Sequence, residues 1–175
     1  MSARQDRIAK MRKIWASVSW EDIAAFIGPG ADVYKPTWEK NNADIIKQGY
    51  AGFSFSWHWP ALIPLLGIPW AAARRQWVFV AMMVGAIILI SVIAAFFEHV
   101  NFGYMMFLVP IMAKGFYVQT AVGKISKIKE TVSNVAEQTA AIKMAGGLNM
   151  TYGYIAAAIS FAILGLSIFS LFLES

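Results

Sequence analysis

Trp77–Phe97 reads WVFVAMMVGAIILISVIAAFF, and this stretch decides the fold. No charged residue interrupts it, and at 1.5 Å per residue about 21 residues reach across a hydrocarbon core of ~30 Å. A buried helix in a soluble core is the competing reading, but such helices rarely run this long without a polar face. The stretch is therefore expected to cross a membrane as a helix. The rest of the chain then approaches it, returns across, or lies beside it.

Composition points the same way. Of 175 residues, 58% are hydrophobic and only 14% charged, which leaves a soluble domain too little polar surface. The expected class is all-α, a small integral membrane protein with about three transmembrane helices, a Pro-broken re-entrant or interfacial segment and short cytoplasmic helices. Cysteine is absent, which excludes disulfides and thiolate metal sites. The net charge of +5 comes from bases spread over segments that flank apolar runs. Topology and anionic lipid account for them more simply than nucleic acid does.

Residues 1–51 form an expected cytoplasmic N-terminal helical region. In Met1–Val18, Ile8, Met11, Ile14, Trp15 and Val18 recur at helical spacing among Arg4, Arg7, Lys10, Arg12 and Lys13. Such a helix lies on an anionic membrane surface or docks on the protein itself; the sequence leaves both open. No apolar core follows the bases directly, which disfavours a secretory signal. Ser19–Asp22 (SWED) has the form of a capping box and starts a short helix through Phe26, ended by Gly28, Pro29 and Gly30. A polar helix is expected over Pro36–Gln48, with Trp38, Ile45 and Ile46 as its buried positions. Its Glu39 and Asp44 are mixed with Lys40 and Lys47, which reads as a solvated face rather than a metal site.

Residues 52–76 are the most unusual part. Pro60, Pro64, Gly67 and Pro69 interrupt an apolar run that is short for a span. Lys47 precedes the run and Arg74 with Arg75 follows it, so both ends are expected on the cytoplasmic side. The expectation is a re-entrant or interfacial segment anchored at headgroup depth by Trp57, Trp59, Trp70 and Trp77. Lys114-Gly115-Phe116-Tyr117 later precedes a basic helix, and Phe26-Ile27-Gly28, Ala31-Asp32-Val33-Tyr34 and Trp38 lie upstream. With Phe53-Ser54-Phe55, Trp57-His58-Trp59-Pro60-Ala61 and Trp70 four residues before Arg74, these resemble a bacterial family of small inner-membrane proteins catalogued as a domain of unknown function. The resemblance covers roughly Phe26–Lys129. The family usually has Asn where this chain has Ser56 or His58, and the gap from Trp59 to Trp70 is about two residues longer. The resemblance implies membrane location and architecture, and no activity.

Residues 77–118 are expected to form a transmembrane hairpin. Its turn, Glu98-His99-Val100-Asn101, lacks Lys and Arg, as suits the periplasmic side. The return, Phe102–Val118, is kinked at Pro110 and carries Lys114 near its inner end, where the stem can carry the ammonium to the headgroups. An ion site there would require a carboxylate, and none lies in any expected span. Residues 119–148 read as a cytoplasmic amphipathic helix with a stripe of Val122, Ile125, Ile128, Val132, Val135 and Ile142, ended by Gly146-Gly147. Residues 149–175, capped by Asn149 or Thr151, read as a C-terminal transmembrane helix with a periplasmic end. Its small residues, among them Gly153, Ala157 and Gly165, let another helix approach, from this chain or from a partner.

A search for chemistry returns little. His58 and His99 are the only histidines, and neither has the companions of a metal site or triad. An axial role for His99 toward a haem or pigment is the sharper reading of that residue. No phosphate loop or nucleophile elbow is present. The sequence therefore reads as non-catalytic and without cofactor: an accessory, assembly or stabilising subunit of a larger bacterial inner-membrane complex, cytoplasmic at its N-terminus. Its expected partners are the lipid bilayer and a larger membrane-protein complex or further copies of itself, with no nucleic acid. The expected contact residues are Trp57, His58, Trp59, Trp70, Arg74, Arg75, Trp77, Lys114, Gly153, Ala157 and Gly165. The alternative is a small oligomeric transporter or channel lined by the Pro-broken segment.

Overall fold

The computed structural model describes residues 3–51, 56, 58, 64–96 and 108–173; within the helices, the side chains of 64–66, 94–95, 108–110, 164, 166–168 and 170–173 are outside the description. The expectations for Trp57, Trp59 and the 98–101 turn with His99 lie outside the described residues. Among the described residues every regular element is helical: α1 (Ala3–Ala16), α2 (Trp20–Ile27), a 3-10 turn (Ala31–Tyr34), α3 (Lys35–Gln48), α4 (Pro64–Ala73), α5 (Trp77–Phe96), α6 (Leu108–Thr131), α7 (Val135–Ala145) and α8 (Met150–Leu173). The chain is thus all-α. It divides into two compact units, one of Met1–Trp57 with Ile111–Leu148, the other of His58–Pro110 with Asn149–Ser175.

In the first unit the capping box forms as written. Ser19 Oγ accepts the Asp22 N–H and the Asp22 carboxylate accepts the Ser19 N–H at 2.8 Å. Gly28, at φ 77°, ends α2. The helix α1 packs on α3: Trp15 and Val18 are buried, and Ile8 lies over Gly49, where a Cβ would collide with it. Of the apolar positions read from the sequence, Trp15 and Val18 are buried, Ile8 and Ile14 half-buried, and Met11 exposed. Buried Ile23, Phe26, Ile27, Tyr34, Ile45, Tyr117, Val122, Ile125 and Ile142 form the core. The Tyr117 ring stands edge-on to Tyr34 at 5.2 Å.

Three local expectations are corrected here. Ile46 is 50% exposed, and α3 instead turns Thr37, Asn41 and Ile45 inward, one residue per turn. Val135 is 76% exposed. The helix expected over 119–145 is two, because Asn134 accepts the N–H groups of Ala136 and Glu137 and starts α7 afresh. Gly146 then ends α7 directly against the Phe26 carbonyl, which also accepts the Gly147 N–H at 2.6 Å.

The second unit packs α4 on α8 and on α5. Pro69 lies inside α4, which nevertheless continues to Ala73. The start of α8 is tied to the end of α4: the Asn149 N–H donates to the Ala73 carbonyl at 2.7 Å, while the Asn149 side chain accepts the Tyr152 N–H at 3.2 Å. One turn on, Gly153 rests against Ala73. Among the described residues no helix is long and apolar enough to cross a membrane; the stretch of α5 with continuously described side chains ends at Ile93.

Candidate functional site

The chemistry-bearing residues of the second unit gather at the turn between α4 and α5. Backbone hydrogen bonds there run from the Arg75 N–H to the Ala72 carbonyl at 2.9 Å and from the Gln76 N–H to the Ala71 carbonyl at 2.8 Å. This is the paired closure of a Schellman motif, whose left-handed residue is usually glycine. Here it is Arg75, at φ 53°, the one described non-glycine residue with positive φ. A side chain in that conformation costs about 1–2 kcal/mol. Arg74 and Arg75 follow directly on the last residue of α4, Ala73, and basic residues are favoured at the negative C-terminal end of a helix dipole.

Around this turn aromatic rings stack edge to face. His58 is buried and lies 4.5 Å from Trp70, which in turn meets Phe79 at 6.0 Å. Trp77, the first residue of α5, is half-exposed and stands edge-on to Tyr152 of α8 at 5.2 Å. Arg74 is buried and Arg75 partly so. Gln76 is buried and donates to the Arg74 carbonyl at 3.4 Å. Beneath the Trp77 and Tyr152 rings a groove of about 300 Å³ opens between α4, α5 and α8. Ile68, Ala72, Val80, Val84, Ile155, Ile159 and Ile163 line it, with Ser160 its one hydroxyl besides Tyr152.

No family model matches the chain, and no curated protein or solved structure matches it.

The candidate residues read from sequence divide by place. His58, Trp70, Arg74, Arg75, Trp77 and Gly153 belong to the second unit, as do Ala157, half-buried, and Gly165, exposed with nothing within 4 Å among the described residues. Lys114 belongs to the first unit, half-buried on α6 between buried Ala113 and Tyr117. Tyr152 and Asn149 were not singled out as contact residues. The Asn149 capping pattern gave a signal for one; the spacing of an aromatic one turn inside α8 gave none for the other.

The first unit carries a polar node of its own. Lys129 Nζ meets the Asp22 carboxylate at 2.5 Å and the Ser17 carbonyl at 3.0 Å. Burial pushes the Asp22 carboxyl up, but the hydrogen bonds from Lys129 and the Ser19 backbone outweigh that and hold it below the ordinary carboxylate value. A cavity of about 530 Å³ lies between α1 and α3, with Arg4 and Arg7 at its edge and Ile8, Ile45 and Gly49 within. Among the described residues no three histidine, cysteine, aspartate or glutamate side chains converge as a metal site would require. What the second unit offers is an apolar groove between α4, α5 and α8, a shape suited to an apolar side chain or hydrocarbon.

Proposed function

We propose that this chain is a non-catalytic accessory, assembly or stabilising subunit of a larger bacterial inner-membrane complex, held in the bilayer by the second unit. The observation that carries the reading is the bare apolar surface of α5 and α8. Val78, Ile88, Leu89, Val92 and Phe96 on α5 and Tyr154, Ile159, Phe161, Ile163 and Phe169 on α8 are all exposed, Phe96 to 78%. A helix that is apolar on every face belongs in a core or in lipid, and a soluble monomer rarely leaves more than a few hundred Å² of contiguous apolar surface bare. Sequence beyond the fully described part completes the argument. The α5 backbone is 20 residues long, and the uncharged run continues through Phe97.

Charge placement favours an accessory role over transport. The charged residues in the described part of the second unit are Arg74 and Arg75, both at the α4–α5 turn, whereas a wet conduit needs polar groups along its length. The likeness to the small inner-membrane family adds the same architecture and no activity. Extraction in mild detergent tests the reading. Co-purification with a large partner at fixed stoichiometry is expected; a homo-oligomer that conducts solute in liposomes would overturn it.

A further inference from the structure

We propose that the cavity of the first unit binds a phosphate monoester carried on a short apolar body, with the phosphate held by Arg4 and Arg7 and the body seated against Ile8, Met11 and Ile45. This goes beyond the accessory role given above and does not depend on it. The cavity, about 530 Å³, is lined by these side chains and by Tyr50 and Gln119, and its volume falls within the range for ligand sites, ~300–1,000 Å³. On α1 the lining takes positions 4, 7, 8 and 11, a single face, since helical residues three and four apart are neighbours. Ile45 and Gly49 are buried, whereas Arg4, Arg7, Tyr50 and Gln119 are exposed. The floor is therefore apolar and the rim polar.

The charge at the rim selects the ligand. Neither arginine is engaged in an ion pair or hydrogen bond among the described residues, and no acidic residue lines the cavity. Arg4 and Arg7 are three apart, so their Cβ atoms lie about 5–6 Å from each other, and both guanidiniums can fork onto one anion. A phosphate monoester carries a charge of about −1.5 to −2 at pH 7, which matches two guanidiniums; a carboxylate or a phosphodiester would leave one unmatched. Tyr50 and Gln119 offer a hydroxyl and an amide N–H to the remaining oxygens. Arg4 also stands in the first turn of α1, where the helix dipole favours acidic residues, so a guanidinium is kept there against local preference. Size sets the body. From Arg4 to Met11 the lining on α1 covers roughly 10 Å at 1.5 Å per residue, whereas a lipid chain reaches through half of a hydrocarbon core of ~30 Å. An aromatic ring or a short alkyl group fits that length, a lipid tail overruns it, and inorganic phosphate alone would leave the apolar floor bare.

The test is isothermal titration calorimetry of the full chain in dodecyl maltoside, with phenyl phosphate as the probe. One site per chain is expected. Inorganic phosphate, which lacks the apolar body, and benzoate, which lacks the second charge, should each bind at least about tenfold more weakly. Arg4→Gln and Arg7→Gln should each weaken phenyl phosphate about tenfold, as loss of one charge-assisted contact implies. Lys10→Gln, on α1 but outside the lining, should leave the affinity unchanged. Met11→Trp should crowd the floor and weaken phenyl phosphate while sparing inorganic phosphate. Micelles doped with phosphatidic acid should not displace the probe; displacement would make a lipid headgroup the ligand and overturn the proposal. So would absence of binding, equal affinity for phenyl phosphate and inorganic phosphate or benzoate, undiminished binding by Arg7→Gln or Met11→Trp, or a loss in Lys10→Gln as large as in Arg7→Gln.

Discussion

Gly153→Ala tests the packing that builds the groove. A methyl at 153 would stand 3.0 Å from the Ala73 Cβ, whereas two carbons rest at about 3.5–4.0 Å. The Ala73 methyl has no rotamer in which to turn away, so α4 and α8 must part by about 0.5–1 Å. A gap of that size forfeits roughly a quarter to a half of each contact it opens. Overpacking of this kind costs about 1–3 kcal/mol, against about 1 kcal/mol gained by replacing a helical glycine with alanine. The variant should therefore lose up to about 2 kcal/mol. Gly165→Ala makes the same chemical change on the same helix with nothing within 4 Å among the described residues, so it should keep only the gain. Ala73→Gly removes the obstructing methyl and should restore Gly153→Ala, with a coupling of about 1–3 kcal/mol in the double-mutant cycle. Thermal unfolding of the single and double variants in one detergent reads the result. Equal midpoints for Gly153→Ala and Gly165→Ala, or no rescue by Ala73→Gly, would refute the reasoning.

Gly146→Ala should destabilise the first unit by at least about 2 kcal/mol, because the new methyl would overlap the Phe26 carbonyl, a rigid backbone atom; the loss is read as a lowered denaturation midpoint. The Asp22 carboxyl has a folded-state pKa below its ordinary value, so its contribution is present above about pH 4 and lost as pH falls through the folded value. With Asp22 and Lys129 both partly exposed, that contribution should be about 1 kcal/mol; Asp22→Asn should flatten stability against pH between 5 and 2, and a profile as steep as the parent's would contradict this. Arg75→Gly should raise the thermal midpoint by a few degrees, as relief of about 1 kcal/mol implies for a chain of this length, and a lowered midpoint would show that the left-handed turn carries no strain.

The sequence made local signals legible and left tertiary ones hidden. The SWED box, the Gly28 and Gly146 stops and the Asn149 cap each depend on a few neighbouring residues and formed where expected. The division between α6 and α7 had a signal too, Asn134 with Glu137 three residues on, but the continuous apolar stripe from Val122 to Ile142 masked it. The inward face of α3 had none, since two of its three members, Thr37 and Asn41, are polar and hydrophobic periodicity points instead to Ile46. Docking of α1 depends on Ile8 meeting the bare Cα of Gly49, a fit between residues far apart in the chain. At the α4–α5 turn, sequence singled out Trp70, Arg74, Arg75 and Trp77. It did not reveal that Arg75 takes the left-handed position or that Tyr152 closes on Trp77, because both follow from the path of the backbone through a turn and a helix pairing.

The most direct measurement concerns the solvent around α5. The chain lacks cysteine, so a spin label can be placed singly at Ile88→Cys, a position 58% exposed in the second unit, and at Lys10→Cys on α1. In native membranes the label at 88 should collide more often with dissolved oxygen than with a water-soluble nickel chelate, and the label at 10 should show the reverse. A label at 88 as open to the nickel chelate as the label at 10 would mean that water covers this apolar face, and the bilayer would have no place in the protein's function.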